Sequence, residues 1–315
     1  MKVVITDYGF SDVEQERRMI CQAGFQLVVG QCQTPEAIMQ AGADADALLV
    51  QWAPVTAAVI DRLEHCRVIV RYGIGVDNID LAAAARRGIP VCNVPDYCID
   101  EVADHTLALA LTLVRQLPML DRRERAGVWK ITPDQPMPAL KSLTFATAGF
   151  GRIARAVLER AKAFGCRLAA YDPYVAPDTF ASCGVAPLTR EQLFGEADVL
   201  SLHLPLTPET RRLVDAATLA KMKSTAIVIN TARGGLVDGV ALAEALRGGT
   251  IAGAGLDVFD PEPVPPGHPL QHCHNAVLTS HVAWFSEQSV PRLQSLAAAE
   301  VLRALRGQPL NNRVN

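Results

Sequence analysis

The chain has 315 residues, of which 50% are apolar and 20% are charged, and its formal net charge is −3 at pH 7. This balance excludes intrinsic disorder and gives no basic surface of the kind that binds nucleic acid. The length predicts two domains, and no apolar run reaches the roughly 18–20 residues that a membrane span needs.

Short β-rich runs alternate with helical stretches through the first third of the chain. That alternation predicts βαβ units built around a parallel sheet, with helices near 12–23 and 81–87. The predicted strands are Val3–Thr6, Gln26–Val29, Ala47–Gln51, Val68–Arg71 and Val91–Val94.

A longer helix is predicted from Asp100 to Leu117. Asp100 is a suitable N-cap, Glu101 favours the positive end of the helix dipole, and Pro118 is expected to end the helix. A second alternating series then supplies six strands, which is the number in a dinucleotide-binding sheet. These strands are expected at Thr144–Ala148, Arg167–Tyr171, Val199–Leu204, Ala226–Asn230, Ile251–Val258 and Ala276–Thr279, and a last helix is expected at Ser289–Leu305.

The eight cysteines form no CxxC pair and show no disulfide-like spacing, and the N-terminus turns acidic at once, unlike a secretory signal. We therefore expect a reduced, cytoplasmic protein. Three histidines and a cysteine lie within residues 268–274, but they lack the spacing of a known zinc site. No metal is predicted.

The segment Gly149-Phe-Gly-Arg-Ile-Ala154 has the pattern GxGxxA and lies between a predicted strand and a predicted helix. The first glycine permits a tight turn, the second lets backbone N–H groups approach a pyrophosphate, and Ala154 allows close helix–sheet packing. Asp172 ends the next strand, where a carboxylate accepts hydrogen bonds from a ribose and repels a 2′-phosphate. The pattern predicts an NAD site, and a plain glycine turn with a capping Asp172 is the alternative.

A second GxG pattern, Gly73-Ile-Gly75, is not followed by a long helix. Its backbone N–H groups could bind an anion. On the residues alone, a purely structural turn is an equal alternative.

Three polar residues, Arg233, Glu262 and His281, each follow a predicted strand of the second series. Because ligands bind beyond the carboxyl ends of parallel strands, the three are expected to converge. Arginine offers a fixed fork for a carboxylate, and histidine transfers protons near neutral pH. A carboxylate bonded to the histidine would fix its tautomer and stabilise its charged form. Taken singly, each residue also has a structural interpretation: a surface arginine, a solvated loop glutamate and a capping histidine.

The chain contains seven ordered motifs: Arg71–Asp80, Glu101–His105, Gly149–Ile153, His203–Thr210, Asn230–Gly235, Gly255–Phe259 and Ser280–Trp284. These motifs resemble those of the D-isomer-specific 2-hydroxyacid dehydrogenases, and the resemblance covers nearly the whole chain. The resemblance implies that the catalytic residues are Arg233, Glu262 and His281. It also implies that backbone N–H groups at Ile74 and Gly75 hold a substrate carboxylate.

The resemblance further implies an α/β fold with two doubly wound parallel-sheet domains. A Rossmann NAD domain at 99–285 would be inserted into a flavodoxin-like substrate domain at 1–98 and 286–315, with the active site in the cleft between them. NAD is the expected cofactor, with contacts at Gly149, Gly151, Arg152, Ile153, Asp172, His203, Pro205, Thr210, Thr231, Ala232, Arg233, Asp257 and His281.

Residues 281–288 resemble the C-terminal-binding-protein branch of the family, whose vertebrate members are NAD-sensing corepressors with dehydrogenase activity. Trp284 stands where phosphoglycerate dehydrogenases usually have glycine, so it is expected to narrow the substrate pocket. A core tryptophan at a domain interface is the alternative. The family also implies a homodimer through the NAD domains, with the helix at 100–117 in the interface.

The predicted activity is therefore NAD-dependent dehydrogenation of a D-2-hydroxy acid, or reduction of a small 2-oxo acid. Hydride would pass between NADH and C2 of the substrate, with His281 as the proton donor. The alternatives are a phosphoglycerate or glyoxylate/hydroxypyruvate reductase of the same family, or an NAD(H)-sensing binding protein with residual activity. The expected substrate-binding residues are Ile74, Gly75, Arg233, His281 and Trp284.

Overall fold

The computed structural model describes residues 1–133 and 135–315, which divide into two units. The first unit contains residues 1–98 and 285–315, and the second contains residues 99–284. Among the described residues, we find no helix with the length and hydropathy of a membrane span. No disulfide bond joins any of the cysteines in that part of the chain.

The first unit is built on five parallel strands: β1 (Lys2–Ile5), β2 (Gln26–Val29), β3 (Ala47–Val50), β4 (Val68–Arg71) and β5 (Val91–Cys92). Their order is β2-β1-β3-β4-β5, which is the flavodoxin-like order of a doubly wound sheet. Strand β3 is buried over its whole length, as expected of a parallel strand that is covered on both faces. The helices of this unit are α1 (Glu14–Gln22), α2 (Pro35–Gly42), α3 (Ala57–Asp61), α4 (Leu81–Arg86) and, from the C-terminal segment, α12 (Ser289–Leu305).

The C-terminal helix α12 packs against α1, β3 and β4, so the chain returns to the first sheet after leaving the second unit. Its buried residues Leu293, Ala297 and Val301 recur every four positions and form one apolar stripe. At the chain end, the side chain of Asn315 accepts the N–H of Val91 at 2.8 Å and so covers the edge strand β5.

The second unit is built on seven parallel strands: β6 (Thr144–Ala148), β7 (Arg167–Tyr171), β8 (Ala186–Pro187), β9 (Val199–Leu202), β10 (Ile227–Asn230), β11 (Gly253–Leu256) and β12 (Ala276–Leu278). Their order is β12-β11-β10-β9-β6-β7-β8, which is the dinucleotide-binding Rossmann order with one strand added at the edge. Both sheet orders confirm the predicted fold class.

The α-helices of the second unit are α5 (Ile99–Val114), α6 (Leu117–Arg125), α7 (Arg152–Ala163), α8 (Pro177–Ser182), α9 (Arg190–Glu196), α10 (Ala216–Leu219) and α11 (Gly239–Arg247). Short 3-10 helices lie at 140–142, 234–236 and 269–272. The apolar side chains of α5 and α7 pack together on one face of this sheet.

Two predictions about the helix at 100–117 are wrong. Asp100 lies inside the first turn of α5, where its carboxylate pairs with Arg160 at 2.8 Å instead of capping the helix. The helix stops before Gln116, whose φ is +54°, and not at Pro118. Pro118 instead lies in the first turn of α6, where a proline is favoured because its missing N–H needs no partner.

Candidate active site

The glycine-rich turn after β6 is fixed by its backbone geometry. Gly149 has φ +96°, and its N–H donates to the Tyr171 carbonyl at 2.7 Å. A Cβ at Gly149 would overlap the carbonyl oxygen of His203, so a larger residue does not fit. Gly151 precedes α7 with open space around it, and no side chain caps the first N–H groups of the helix. An uncapped helix start of this kind favours a phosphate group.

Asp172, directly after β7, holds the same turn. Its Oδ2 accepts the N–H of Phe150 at 2.9 Å, and its Oδ1 accepts the N–H of Tyr174 at 3.0 Å. The carboxylate therefore stabilises the glycine turn, in addition to the ribose contact predicted for it. Arg152 and Ile153 form the start of α7 beside this turn.

The segment after β9 carries three residues that were assigned to the cofactor. Desolvation lowers the pKa of His203 to about 3, so its ring is neutral, and its Nε2 lies 2.8 Å from Oγ of Ser201. Thr210 Oγ1 donates to the carbonyl of Pro205 at 2.7 Å and closes a turn. Because β9 lies next to β6 in the sheet, this segment begins at the same sheet edge as the glycine turn.

Asn230, the last residue of β10, shapes the chain that leads to Arg233. Its Nδ2 donates to the Arg233 carbonyl at 2.8 Å, and its Oδ1 accepts the N–H of Ala232 at 3.0 Å. The half-buried guanidinium of Arg233 donates to the Ala232 carbonyl at 2.6 Å. Thr231 is buried, with its Oγ1 2.9 Å from Oγ1 of Thr106 on α5. These contacts fix the path of the chain around Arg233.

Gly234 brings together the segments that follow β10 and β11. A Cβ at this position would overlap the backbone carbonyl of Phe259, so only glycine allows the approach. The contact places the chain after Arg233 against the segment that leads to Glu262. The sequence pattern contained the glycine but gave no indication of this partner.

His281 and Glu262 form a close pair. Nδ1 of His281 lies 2.7 Å from Oε2 of Glu262, and Oε1 of the same carboxylate accepts the N–H of Phe259 at 2.8 Å. Each side chain keeps a little over a third of its surface exposed, at 36% and 37%. The carboxylate accepts a hydrogen bond from the protonated Nδ1, so Nε2 is the ring nitrogen left for a substrate.

The electrostatics of this pair favour an ionised glutamate. Partial burial opposes the charge on Glu262, but the hydrogen bond and the charge of His281 act in the other direction. The Phe259 N–H and the positive charge of Arg233 add to that effect. Together they hold the pKa of Glu262 below its usual value, so the carboxylate beside His281 favours its ionised form.

A buried carboxylate directly after β11 holds the backbone of His281. Asp257 accepts the N–H of Val282 on Oδ1 and that of Ala283 on Oδ2, both at 2.9 Å. Its carbonyl accepts the N–H of His281 at 2.7 Å. His281 has φ +55°, a conformation that non-glycine residues rarely adopt, so these bonds are needed to maintain it.

Trp284 is half-buried and is fixed to the same turn. Its indole Nε1 donates to the carbonyl of His281 at 2.8 Å. The hydrogen bond gives the indole N–H a partner and sets the ring beside the proposed proton donor.

In the first unit, β4 is followed by the turn Gly73-Ile-Gly75. The Gly73 carbonyl accepts the N–H of Val94 at 2.9 Å, and the Ile74 carbonyl accepts Nδ2 of Asn93 at 2.7 Å. In a trans peptide the C=O and the following N–H point in opposite directions. The N–H groups of Ile74 and Gly75 therefore point away from residues 93–94.

The histidines and the cysteine of residues 268–274 make other contacts. Nδ1 of His268 accepts the N–H of Leu270 at 3.3 Å, and Cys273 Sγ lies 3.5 Å from the carbonyl of Pro269. Over residues 1–133 and 135–315 we find no group of three His, Cys, Asp or Glu residues that could hold a metal ion.

Sequence reasoning did not single out Asn230 or Thr279, although both support the site. Thr279 donates its hydroxyl proton to Oδ1 of Asp257 at 2.5 Å. Both residues are polar side chains at the end of a predicted apolar strand, and Asn230 also begins one of the seven motifs.

A family model described as the NAD-binding domain of D-isomer specific 2-hydroxyacid dehydrogenases matches residues 107–283. The chain is 37% identical to a glyoxylate reductase of Korarchaeum cryptofilum, over 99% of this chain and 93% of that protein. It is 40% identical to a D-3-phosphoglycerate dehydrogenase of Mycobacterium leprae over 88% of this chain, but spans only 52% of that protein. A D-lactate dehydrogenase from Aquifex aeolicus, solved with NAD and lactic acid, has a TM-score of 0.88 at 27% identity, covering 97% of this chain and 96% of that one.

The matched region contains the glycine turn at 149–151 and all three predicted catalytic residues. The open, uncapped helix start at Gly151 and the carboxylate of Asp172 fit a dinucleotide. The resemblance to the C-terminal-binding-protein branch stays a prediction. The chain belongs to the D-isomer specific 2-hydroxyacid dehydrogenase family and is an oxidoreductase that acts on 2-hydroxy acids with NAD.

Proposed function

We propose that the protein reduces a small 2-oxo acid at C2 to the D-2-hydroxy acid with NADH, and that His281 is the proton donor. The observation that carries the proposal is the 2.7 Å contact between Nδ1 of His281 and Oε2 of Glu262. An ionised carboxylate at this distance stabilises a protonated imidazole, and a general acid needs that state when a carbonyl is reduced.

NADH would supply the hydride that adds to C2 of the substrate. The carbonyl oxygen, on which negative charge develops, takes a proton from Nε2 of His281. This leaves a neutral imidazole that is hydrogen-bonded to Glu262 through Nδ1. In the oxidation direction, neutral Nε2 accepts the proton of the substrate hydroxyl. Glu262 stays ionised in both directions, since its pKa is held below the usual value.

The substrate carboxylate is assigned to Arg233 and to the N–H groups of Ile74 and Gly75. A guanidinium binds a carboxylate through two parallel hydrogen bonds, and the two N–H groups form an anion-binding turn. Trp284 would limit the size of the group beyond C2, because its ring is fixed to the turn that carries His281. Asp172 is expected to favour NADH over NADPH by repelling a 2′-phosphate.

Glyoxylate or hydroxypyruvate is the first candidate for the substrate, because the chain is similar to the K. cryptofilum glyoxylate reductase over 99% of its residues. Phosphohydroxypyruvate is the second candidate, and the position of Arg71 favours it. A Cβ at Gly73 would overlap the Arg71 guanidinium, so a cation lies against the turn assigned to the substrate.

An NAD(H)-sensing protein with residual activity is the candidate from another class. The paired Glu262 and His281 count against it, because binding a nucleotide does not require a proton donor held by a carboxylate. A protein that binds NADH tightly but turns over no 2-oxo acid would support this candidate.

We also propose a homodimer formed through the second unit, with α5 in the interface. Apolar side chains are exposed on α6 and in the segment after it, including Trp129 at 80% and Ile131 at 87%. Exposed large apolar side chains of this kind mark interaction surfaces.

The predicted cytoplasmic location stays part of the proposal and agrees with cysteines that form no disulfide among the described residues.

The experiment that tests the substrate is the loss of NADH absorbance with the purified protein across a panel of 2-oxo acids. The panel contains glyoxylate, hydroxypyruvate, phosphohydroxypyruvate, phenylpyruvate and 4-methylthio-2-oxobutyrate, each also tried with NADPH. Fast turnover of glyoxylate or hydroxypyruvate with NADH supports the proposal, and preference for the phosphorylated acid supports the second candidate. No turnover of any acid, with NADH still bound, would overturn both.

A further inference from the structure

A histidine that the mechanism does not use lies behind the turn that carries His281. His105 is on α5, and 24% of its side-chain surface is exposed. Its Nε2 lies 3.0 Å from Oγ1 of Thr279, and that hydroxyl lies 2.5 Å from Oδ1 of Asp257. The three side chains form a continuous hydrogen-bonded row that ends at the carboxylate supporting His281.

The direction of each hydrogen bond in this row follows from the available protons. The Asp257 carboxylate is an acceptor only and already receives the N–H groups of Val282 and Ala283. The single hydroxyl proton of Thr279 is therefore donated to Asp257. The Thr279 oxygen must then accept from His105, which places a proton on Nε2 of that histidine.

We propose that His105 is a positioning residue for the proton donor, acting through Thr279 and Asp257. The Asp257 carboxylate holds the two N–H groups that follow His281, whose φ of +55° needs such support. Donation from His105 strengthens the Thr279 to Asp257 bond, because hydrogen bonds in a chain polarise one another. The role requires a donor at Nε2 and does not require a charge. This inference rests on the proposed function of His281.

The first experiment tests the row of hydrogen bonds and does not depend on enzyme activity. We would record the ¹⁵N resonances of the histidine rings and assign His105 as the signal that is absent in His105→Gln. We expect the Nε2–H tautomer at His105. We also expect the His281 signals to shift in His105→Leu but not in His105→Gln. An Nδ1–H tautomer at His105, or His281 signals that are unchanged in His105→Leu, would overturn it.

The second experiment measures how substitutions of His105 and Thr279 change kcat, with the 2-oxo acid that the wild-type protein reduces fastest. Glutamine places an amide N–H near the position of Nε2, so His105→Gln should retain kcat, whereas His105→Leu should lower kcat about tenfold, the effect of one lost hydrogen bond. Thr279→Val should lower kcat by a similar factor, and the double variant should be no worse than Thr279→Val. His65→Gln is the control, because His65 is exposed in the first unit.

A merely structural role for His105 predicts a different pattern. In that case His105→Leu lowers the melting temperature but leaves kcat within twofold, and its effect adds to that of Thr279→Val. That pattern would overturn the inference while the proposed function stands. A wild-type protein that reduces no 2-oxo acid contradicts the proposed function instead, and the ring resonances then decide the hydrogen-bond row on their own.

Discussion

His281 carries the proposed proton transfer, and separate residues set its charge and its position. Glu262 faces the ring at 2.7 Å and governs the proton on the imidazole. Asp257 governs the backbone through three hydrogen bonds to residues 281–283. A substitution at either carboxylate should therefore impair reduction for a different reason.

Replacing Glu262 with glutamine should lower kcat for 2-oxo acid reduction by about tenfold to a hundredfold, which corresponds to one hydrogen bond to a charged group. The neutral amide no longer stabilises the imidazolium, so the pH above which reduction fails should move downward. The pH dependence of kcat in the wild-type protein and the variant measures this. An unchanged pH profile would show that Glu262 does not control the proton.

His203 should make the protein less stable in mild acid. Its folded-state pKa is lowered to about 3, so below the unfolded-state value of 6.5 the unfolded chain takes up a proton that the folded chain refuses. The contribution of His203 to the free energy of unfolding is present above pH 6.5 and is lost as the pH falls. The loss between pH 7 and pH 5 is about 2 kcal/mol.

Urea unfolding of the wild-type protein and of His203→Gln at pH 7 and pH 5 checks this expectation. Glutamine carries no titrating proton, so the variant should lose less stability over the same interval. Equal losses in the two proteins would mean that the His203 ring is not desolvated.

At the scale of elements, periodicity predicted the strands well where residues are apolar and short connections follow. Strands β2, β4, β6 and β7 have the predicted bounds. The predicted strand β9 is two residues too long, because Leu204 continues the apolar pattern beyond His203 after the ladder ends. Strand β8 was missed because it has only two residues, one of them proline.

The helix ends were harder to predict than the strands. The break between α5 and α6 depends on the φ of +54° at Gln116, which no local residue pattern indicates. Pro118 fits the pattern of a stop signal, although proline is equally suited to the first turn of a helix. Choosing between these two roles requires the tertiary structure.

Gly234 is the point where two elements of the site touch, so Gly234→Ala should separate the segments carrying Arg233 and Glu262. A Cβ would overlap the Phe259 backbone, which cannot rotate away as a side chain can. A displacement of about 1 Å in a catalytic group costs on the order of a hundredfold, and we expect kcat/KM to fall by that factor.

Gly195→Ala is the matched control, because Gly195 lies in α9 with open space around its Cβ position. The control should keep full activity and gain up to about 1 kcal/mol of stability from the higher helix propensity of alanine. Activity retained in Gly234→Ala would contradict the role assigned to this close approach.

For the whole molecule, the alternation of strands and helices predicted the fold class, and the spacing of polar residues after strands predicted Arg233, Glu262 and His281. The structure brings the last two into contact because the ends of parallel strands share one sheet edge. The support from Asp257, Asn230 and Thr279 could not be predicted. It depends on backbone torsions and on partners far away in the sequence.

The exposed apolar segment after α6 predicts that the protein forms a dimer. Sedimentation at micromolar concentration should give a dimer for the wild-type protein and a shift toward monomer for the double variant Trp129→Glu and Ile131→Glu, since both side chains are at least 80% exposed in one chain. Tyr174→Glu is the control, because Tyr174 is 93% exposed in a different segment. A monomeric wild-type protein would remove the proposed homodimer.

The role of His281 as the proton donor can be tested by following NADH absorbance with the preferred 2-oxo acid for three proteins: wild type, His281→Asn and the exposed-histidine control His65→Asn. We expect equal rates for wild type and control, and a rate for His281→Asn that is lower by about 10²–10⁴-fold. NADH binding, followed by fluorescence, should be retained in all three. Turnover by His281→Asn at the wild-type rate would show that His281 is not the proton donor.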